Sequence, residues 1–338
     1  QRALFKVGLL AYLTQNYEQA QTSLEGYLNI SSSQLGQAQA HYWLYKTALA
    51  QKSKNISRKH QNILLQDYAY TYYATILPKH PKIEKIGKPL PFANADNQVA
   101  GIELFLQLGL HQLVSRALFD LDDISSAQKF ALAKKLDHLS MYLPSMNLTY
   151  KLMLTEQALY PEILHLFFPI APYTNFFTTP KAYKVPSLVA LSIMKQESAF
   201  NPLAVSAANA HGLLQLIMPT ARRMAQHNHI KINKWDLFTP TINIQLGTTY
   251  IARNLQQLDN NLIDTFIAYN AGPTRAKRWK NQWAELDNDV YIEMIPIQET
   301  RTYVKLILRN IYFYQRLYPE YFNETIDYKG LPEHFVKH

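Results

Sequence analysis

Cysteine is absent from the 338-residue chain, and glycine is scarce. The missing cysteine excludes a disulfide-stapled scaffold, a zinc site with thiolate ligands and a cysteine nucleophile. The 10 glycines are about 3% of the residues, against a usual share of ~7%. Because sheet-rich folds use many glycine turns, this deficit favours long helices joined by few tight turns.

Long hydrophobic runs are also lacking. The longest, at 163–173, is broken by His165, Pro169 and Pro172 and falls far short of the ~20 residues that a membrane span needs. We therefore expect no membrane span. The sequence holds no glycine-rich phosphate loop and no metal-binding histidine pattern, so we expect no cofactor and no metal.

The net charge of +9 invites a polyanionic partner, although a merely basic surface gives the same number. The most basic short stretch, at 52–59, has no nucleic-acid motif beside it, and we interpret it as a solvated loop. We therefore expect no nucleic-acid partner.

Helical periodicity dominates the first ninety residues. It predicts helices at 3–13, 38–49 and 63–76, separated by polar breaks at 29–34 and 52–60. Clusters of proline near 78–91 and 161–186 then mark two transitions. We expect a mostly α protein with an α-superhelical segment at 1–90, a helical linker domain at 91–168 and a third domain at 169–338. The first segment is expected to be the C-terminal part of a larger superhelix.

One glutamate stands out in the third domain. Pro186 fits the first turn of a helix, which is expected to end before Asn201 and Pro202. Glu197 continues the apolar stripe of that helix at its end. Such a carboxyl group is either a structural glutamate paired with an arginine or a general acid whose pKa is raised by desolvation. The spacing alone does not decide between them.

Five ordered motifs follow from this point. They are KQESAFNP at 195–202, GLLQLIMPTA at 212–221, NIQLGTTY at 243–250, AYNAGP at 268–273 and EMIPIQETRTYV at 293–304. Each is weak alone, but their order and separation closely resemble the soluble lytic murein transglycosylases. The resemblance is strong over 184–318, and weaker upstream in the superhelix and linker segments.

The resemblance implies a lysozyme-like catalytic domain that cleaves the MurNAc-β-1,4-GlcNAc bond of peptidoglycan without water and leaves 1,6-anhydroMurNAc ends. It implies that Glu197 is the catalytic residue, first as general acid and then as base. An ordinary glycosidase needs two carboxylates, whereas no acidic residue follows Glu197 before Asp236. A single acid suffices if the acetamido group and the C6 hydroxyl of the substrate supply the nucleophiles.

Six further positions are carried over from the same resemblance as substrate-binding residues, and four of them have a structural alternative. Ser206 and Gln215 could serve only as a turn hydroxyl and a helix cap, Tyr269 as a core tyrosine, and Glu299 as the partner of Arg301 or Arg309. The six are Ser206, Gln215, Ile217, Tyr269, Asn270 and Glu299.

The motifs depart from the family pattern at three positions. Asn209 stands where the family usually has glycine, and asparagine tolerates the left-handed backbone that such a turn needs. Leu214 and Ile217 stand where methionine is common, which puts substrate contact at Ile217 in question. His211 lies inside the same segment and is expected to face solvent in a loop.

We expect the partner to be peptidoglycan glycan strands, with cell-wall synthases as candidate protein partners, and the location to be the periplasm. Two other functions stay open. One is a goose-type lysozyme-like hydrolase, in which water is the acceptor. The other is a non-catalytic peptidoglycan-binding scaffold.

Overall fold

The computed structural model describes residues 2–84, 90, 99–119, 124–156, 158–170, 172–173, 185–283, 285–322, 328–332 and 335. They form two compact units, the first within Gln1–Leu90 and Met153–Pro161 and the second within Pro91–Leu152 and Glu162–His338. The expectation of a mostly α fold is confirmed. The division into 1–90, 91–168 and 169–338 stays a prediction.

Helices account for nearly all regular structure in the described part of the chain. Those of the N-terminal region are α1 (Arg2–Leu13), α2 (Tyr17–Ile30), α3 (Gln34–Ala50), α4 (Lys54–Gln66) and α5 (Tyr72–Thr75). Those that follow are α6 (Ala100–Gln107), α7 (His111–Phe119), α8 (Ser126–His138), α9 (Tyr142–Glu156), α10 (Pro161–Phe167), α11 (Ser187–Ser198), α12 (Met218–His227), α13 (Pro240–Gln257), α14 (Leu262–Ala271), α15 (Pro273–Trp283), α16 (Asn288–Met294) and α17 (Gln298–Leu317). Strands β1 (Ala210–His211) and β2 (Leu216–Ile217) form an antiparallel pair, and Trp235–Phe238 is a short 3₁₀ helix.

The first unit is built from helix pairs, in which α1 packs on α2 and α3 packs on α4. Its core contains the fully buried side chains of Leu24, Trp43, Leu64 and Tyr73. Gly8 permits the close approach of α1 to α2, since a Cβ atom there would lie 2.8 Å from Cγ of Leu24.

Two predicted features of this unit are wrong. The basic stretch at 52–59 is not a solvated loop but runs into α4, and the predicted helix at 63–76 is two helices separated at 67–71. The physical reason is that α4 buries polar side chains: His60 contacts His41 through their Nδ1 atoms at 2.9 Å, beside the buried Ser57. Hydrophobic periodicity cannot detect a face that is buried through polar contacts.

The first helices of the second unit are α6 and α7. Gly109, whose φ of 69° lies in the left-handed region, stands between them. Ser125 caps α8 through a capping box with Gln128. Their core gathers buried aliphatic residues such as Ile102, Val114 and Leu132.

The site-bearing part of the second unit centres on α11, which is buried on nearly every side. It packs against the long helix α17, which in turn packs on α14. This three-helix arrangement therefore brings together parts of the sequence that lie about one hundred residues apart.

Candidate active site

Glu197 lies in the last turn of α11, just before the chain reverses. Ala199 and Phe200 both adopt positive φ, at 47° and 65°, so the chain turns sharply away from the helix axis. Pro202 then follows, as the sequence predicts for a helix stop. The reversal leaves the Glu197 carboxyl group at the wall of a cleft of about 650 Å³.

The pKa of Glu197 is raised to about 7, chiefly because burial penalises the charged carboxylate. The nearby Glu299 raises it further, whereas the hydrogen bond from Tyr303 lowers it. At neutral pH a large share of the Glu197 side chains therefore keep their proton. This is the electrostatic condition that a general acid requires.

Tyr303 contacts the glutamate directly and was missed by sequence reasoning. Its hydroxyl group donates to Oε1 of Glu197 at 2.5 Å, which leaves Oε2 for a proton or a substrate atom. Tyr303 lies one helical turn after Glu299 on α17, and this spacing places the two side chains on one face. The spacing was the signal that could have identified it.

Two more tyrosines line the site from α13 and α14. The hydroxyl group of Tyr269 donates to the carbonyl oxygen of Leu214 at 2.7 Å, and that of Tyr250 donates to the carbonyl oxygen of Ala268 at 3.3 Å. Their ring centroids are 5.3 Å apart. Burial raises the pKa of Tyr269 well above its ordinary value, and the nearby Glu197 adds to the shift. Tyr269 therefore stays neutral.

The opposite wall is a tight turn around strands β1 and β2. Asn209 adopts φ of 59°, which fulfils the expectation that asparagine sustains the left-handed turn. Oγ of Ser206 accepts a hydrogen bond from the backbone N–H of Ala210 at 3.1 Å. Nε2 of Gln215 donates to the carbonyl oxygens of Ala204 and Gly212, at 3.1 and 2.8 Å. Both side chains brace the turn and also line the cleft.

A buried asparagine holds this turn to α13. Oδ1 of Asn243 accepts from the N–H of Leu214 at 2.8 Å, and its Nδ2 donates to the carbonyl oxygens of His211 and Leu237 at 2.9 and 2.7 Å. Gly212 is required here, because its φ is 75° and a Cβ atom would lie 2.1 Å from the Leu237 carbonyl oxygen. The second and third motifs are thus two halves of one packed structure.

The prediction for His211 is wrong. Its side chain has 0% exposure rather than facing solvent, and its ring packs edge-on to Phe238 with centroids 5.4 Å apart. The β1–β2 pairing and the 3₁₀ helix enclose it. A histidine within a polar motif gave no sequence signal for such burial.

Glu299 and Asn270 form the remaining rim. Nδ2 of Asn270 donates to Oε1 of Glu299 at 3.1 Å, and Oγ1 of Thr300 donates to Oδ1 of Asn270 at 2.5 Å. Arg301, considered as a partner for Glu299, instead lies 3.9 Å from the buried Glu293. Glu299 is exposed at the start of α17, where a carboxylate is favoured by the helix dipole.

All seven residues singled out by sequence line the same cleft, including Ile217, which is 41% exposed. The structure thus brings the set together, while the substrate roles assigned to its members stay predictions. Sequence reasoning missed further lining residues, among them Thr220, Arg223 and Tyr250. Within the described ranges, no group of three or more histidines or acidic residues is placed to hold a metal ion. In that same part of the chain no helix has the length and apolarity to cross a membrane.

Fold and cleft together define an α-helical domain whose cleft holds the half-buried carboxyl group of Glu197 and the exposed carboxyl group of Glu299. Residues 174–292 match the family model of the transglycosylase SLT domain. The soluble lytic murein transglycosylase of Escherichia coli is 36% identical over 151 residues, which are 44% of this chain and 23% of that protein. A Haemophilus influenzae protein provisionally named a soluble lytic murein transglycosylase is 28% identical over 88% of this chain and 50% of its own length.

Two solved structures share the fold. The crystal structure of the 70 kDa soluble lytic transglycosylase from Escherichia coli matches with a TM-score of 0.71 and 23% identity, over 93% of this chain and 51% of that one. An inactive mutant of the lytic transglycosylase Slt from Pseudomonas aeruginosa matches with a TM-score of 0.70 and 22% identity, over 92% and 51%. The chain thus contains a region at 174–292 that matches the transglycosylase SLT domain, and it is similar to soluble lytic transglycosylases over most of its length. It spans about half the length of the Haemophilus influenzae relative and of both solved chains.

Proposed function

We propose that this chain is a peptidoglycan lytic transglycosylase that cleaves the MurNAc-β-1,4-GlcNAc bond and leaves a 1,6-anhydroMurNAc end. The observation that carries the proposal is the half-buried carboxyl group of Glu197, whose pKa is raised to about 7, in the wall of the cleft. The names of the Escherichia coli and Haemophilus influenzae relatives support the same activity.

The first step is protonation of the glycosidic oxygen. Oε1 of Glu197 is taken by the Tyr303 hydroxyl, so the proton is carried on Oε2 and is delivered from there to the leaving GlcNAc oxygen. The bond from C1 to that oxygen breaks, and the acetamido oxygen of the MurNAc stabilises the positive charge that develops at C1. Glu197 is left as a carboxylate.

The second step closes the anhydro ring. The C6 hydroxyl attacks C1, a new C1–O6 bond forms, and the hydroxyl proton passes to the Glu197 carboxylate. The glutamate is restored to its starting state, and no water is consumed. A single carboxyl group with a pKa near neutrality serves both steps, because it can give and accept a proton at the same pH.

A second carboxylate would favour the hydrolytic alternative, and Glu299 is the other acidic residue among the described residues that line the cleft. Its Oε1 accepts from Asn270, and it lies on the exposed rim rather than in the buried interior. We propose that Glu299 and Asn270 contact the sugar at the rim. Tyr269, Gln215, Ser206 and Ile217 are proposed to shape the subsites on either side of the bond.

The substrate implies where the protein works. We propose that the chain acts in the periplasm on glycan strands, and that cell-wall synthases are its candidate protein partners. The relatives named as murein transglycosylases support the extracytoplasmic assignment.

Two variants test the role of the carboxyl groups. We expect Glu197→Gln to lower the rate of anhydromuropeptide release from sacculi by at least ~10³-fold, since the amide cannot transfer the proton. Glu299→Gln should keep its turnover within about tenfold of the wild-type value, because it loses only a hydrogen bond at the rim of the cleft. Mass analysis of the soluble products is the measurement.

Retained turnover in Glu197→Gln would remove that residue from the mechanism. If Glu299→Gln loses as much turnover as Glu197→Gln, the result would instead indicate a hydrolase that uses two carboxylates. Tight glycan binding by the wild-type chain with no product at any concentration would favour the scaffold alternative. Circular dichroism and thermal unfolding of each variant establish that the fold is intact.

A further inference from the structure

Three charged side chains meet at the corner where α16 ends and α17 begins. Nζ of Lys305 donates to Oε1 and Oε2 of Glu293 at 2.9 and 2.8 Å, and both side chains are buried. Nε of Arg301 lies 3.9 Å from Oε2 of the same glutamate, and Nη1 of Arg301 donates to the carbonyl oxygen of Ile295 at 2.6 Å. We use the term charge triad for Glu293, Arg301 and Lys305.

Stability alone gives a poor account of the charge triad. Glu293 lies in the last turn of α16, where the helix dipole disfavours a carboxylate, and it is also removed from water. Burial lowers the pKa of Lys305 to about 8 although Glu293 opposes the shift, so the lysine keeps its charge at pH 7 against a desolvation penalty. A buried ion pair is often no more stabilising than apolar side chains of the same volume. The triad therefore indicates a role in fixing geometry.

The charge triad contacts the face of α17 that lies away from the cleft. At ~100° per residue, Arg301 and Lys305 both lie ~160° around the helix from Tyr303. Asn310 lies on the same face as Tyr303, and its Nδ2 donates to the carbonyl oxygen of Ser192 on α11 at 3.2 Å. Helix α17 is thus held from α16 on one side and from α11 on the other.

The contact between Tyr303 and Glu197 is sensitive to how α17 is turned about its axis. A tyrosine hydroxyl group lies roughly 8 Å from the axis of its helix, so a rotation of ~10° moves it by ~1.5 Å. The distance of 2.5 Å from this hydroxyl to Oε1 of Glu197 would then exceed the ~3.0 Å that a hydrogen bond between two oxygen atoms spans. A small rotation of the helix is enough to separate the two groups.

We propose that the charge triad sets the rotation of α17 about its axis and thereby places the Tyr303 hydroxyl group on Glu197. Glu293 and Lys305 are then positioning residues for the reaction, although neither is among the residues that line the cleft. The inference depends on the proposed function, because the glutamate they position indirectly is the proposed acid and base.

The test removes both buried charges together, so that neither is left unpaired. Glu293→Met/Lys305→Met puts unbranched apolar side chains in their place and should unfold close to the wild-type temperature. Glu103→Met/Lys135→Met is the matched control, because it removes an ion pair of 3.2 Å between α6 and α8 that does not line the cleft. Circular dichroism and thermal unfolding establish the fold. If the Glu293/Lys305 double variant does not fold, Glu293→Gln/Lys305→Gln, whose amides can hydrogen-bond to each other, takes its place.

The first readout is the titration of Glu197 in the free protein, followed by carbon-13 NMR of labelled glutamate carboxyl groups. The signal that is missing in Glu197→Gln identifies the residue. Glu299, Tyr269 and Tyr303 face Glu197, and the hydrogen bond from Tyr303 lowers its pKa by more than Glu299 raises it. Displacement of α17 should therefore move the titration to higher pH, as in Tyr303→Phe, and the Glu103/Lys135 control should titrate as the wild type. An unmoved titration in the Glu293/Lys305 double variant would overturn the proposal.

The second readout is a mutant cycle with Tyr303. At pH 6, where Lys305 is charged in the wild type, we expect the Glu293/Lys305 double variant to lower kcat for anhydromuropeptide release about tenfold. In the Tyr303→Phe background the same two substitutions should lower kcat by less than about twofold, because the contact is already lost. An equal loss in both backgrounds would show that the charge triad acts by a route other than Tyr303, against the proposal.

The titration needs no turnover, so this proposal and the proposed function can fail separately. If the wild type releases no anhydro product, yet the titration of Glu197 moves in the Glu293/Lys305 double variant, the activity assignment fails and the positioning of Tyr303 stands. If product is released and neither the titration nor kcat responds to the two substitutions, the positioning role fails alone.

Discussion

At the scale of single residues, the proposed chemistry depends on the contact between Glu197 and Tyr303. Burial raises the pKa of the carboxyl group to about 7, while the tyrosine hydroxyl stabilises the carboxylate and opposes the shift. The position of the glutamate at the end of an apolar helix could be predicted from sequence. The i+4 spacing from Glu299 could have identified Tyr303 as a residue of the same face, but its contact with Glu197 could not be predicted, because the two residues are 106 apart along the chain.

Tyr303→Phe should therefore change the pH dependence and not only the rate. Loss of the hydrogen bond raises the pKa of Glu197 further, so the alkaline limb of kcat/KM, where the acid loses its proton, should move to higher pH. The rate at the optimum should fall about tenfold through poorer positioning of the carboxyl group. The pH profile of anhydromuropeptide release is the measurement.

Tyr250→Phe serves as the control for that profile, since the Tyr250 hydroxyl donates to the carbonyl oxygen of Ala268 and not to Glu197. Its alkaline limb should stay in place. An unmoved limb in Tyr303→Phe would contradict the account of how the pKa of Glu197 is set.

At the scale of elements, sequence patterns succeeded where burial is apolar and failed where it is polar. Helix α11, with its apolar run and its proline boundaries, was predicted almost to the residue. Helix α4 was missed because its buried face carries Ser57 and His60. The burial of His211 was missed for the same reason: a polar residue gives no hydrophobic signal of its own.

The α3–α4 contact should be sensitive to acid. Burial lowers the pKa of His41 to about 4 and also lowers that of His60, and the two rings disfavour each other's charge. The unfolded chain binds protons near pH 6.5, whereas folded His41 does so only near 4. Stability is therefore fully present above pH 6.5 and is lost as pH falls toward 4, by about 2–3 kcal/mol.

Urea unfolding followed by the fluorescence of the buried Trp43, measured between pH 7 and 4, tests this. In the double variant His41→Gln/His60→Gln, the free energy of unfolding should fall less between pH 7 and 4, because neither glutamine titrates. If the free energy of unfolding depends on pH with the same slope in the wild type and the double variant, the histidine pair is not the source of the acid sensitivity.

The β1–β2 turn makes a second prediction at this scale. Asn243→Ala leaves one backbone N–H and two carbonyl oxygens without their side-chain partner, and should cost about 2–4 kcal/mol of unfolding free energy. Activity should fall with it, since Gln215 and Ile217 lie on the turn that Asn243 holds. Chemical denaturation beside the activity assay is the measurement.

Asn281→Ala is the control, because Asn281 is exposed on α15. It should change the unfolding free energy by less than about 0.5 kcal/mol. An Asn243→Ala variant as stable and as active as this control would show that the turn holds its shape by other means.

At the scale of the whole molecule, the composition has few glycines and no cysteine. It is the composition of a protein that is stabilised by the packing of helices and not by disulfide bonds. The mostly α fold could be predicted from helical periodicity, and the resemblance to lytic transglycosylases from five motifs in fixed order, which the structure brings to one cleft. The closeness of Arg223 and Arg253 could not be predicted, since they are thirty residues apart along the chain and only the packing of α12 on α13 brings both to one surface depression.

The fate of water at the cleaved bond tests the central claim most directly. Peptidoglycan is digested with the wild-type chain in water enriched in oxygen-18, and the soluble muropeptides are measured by mass. The account predicts products that carry no label and are one water lighter than reducing-end muropeptides, because the C6 hydroxyl closes the ring. Heavy oxygen incorporated at the new MurNAc end would contradict it and would identify the chain as a hydrolase.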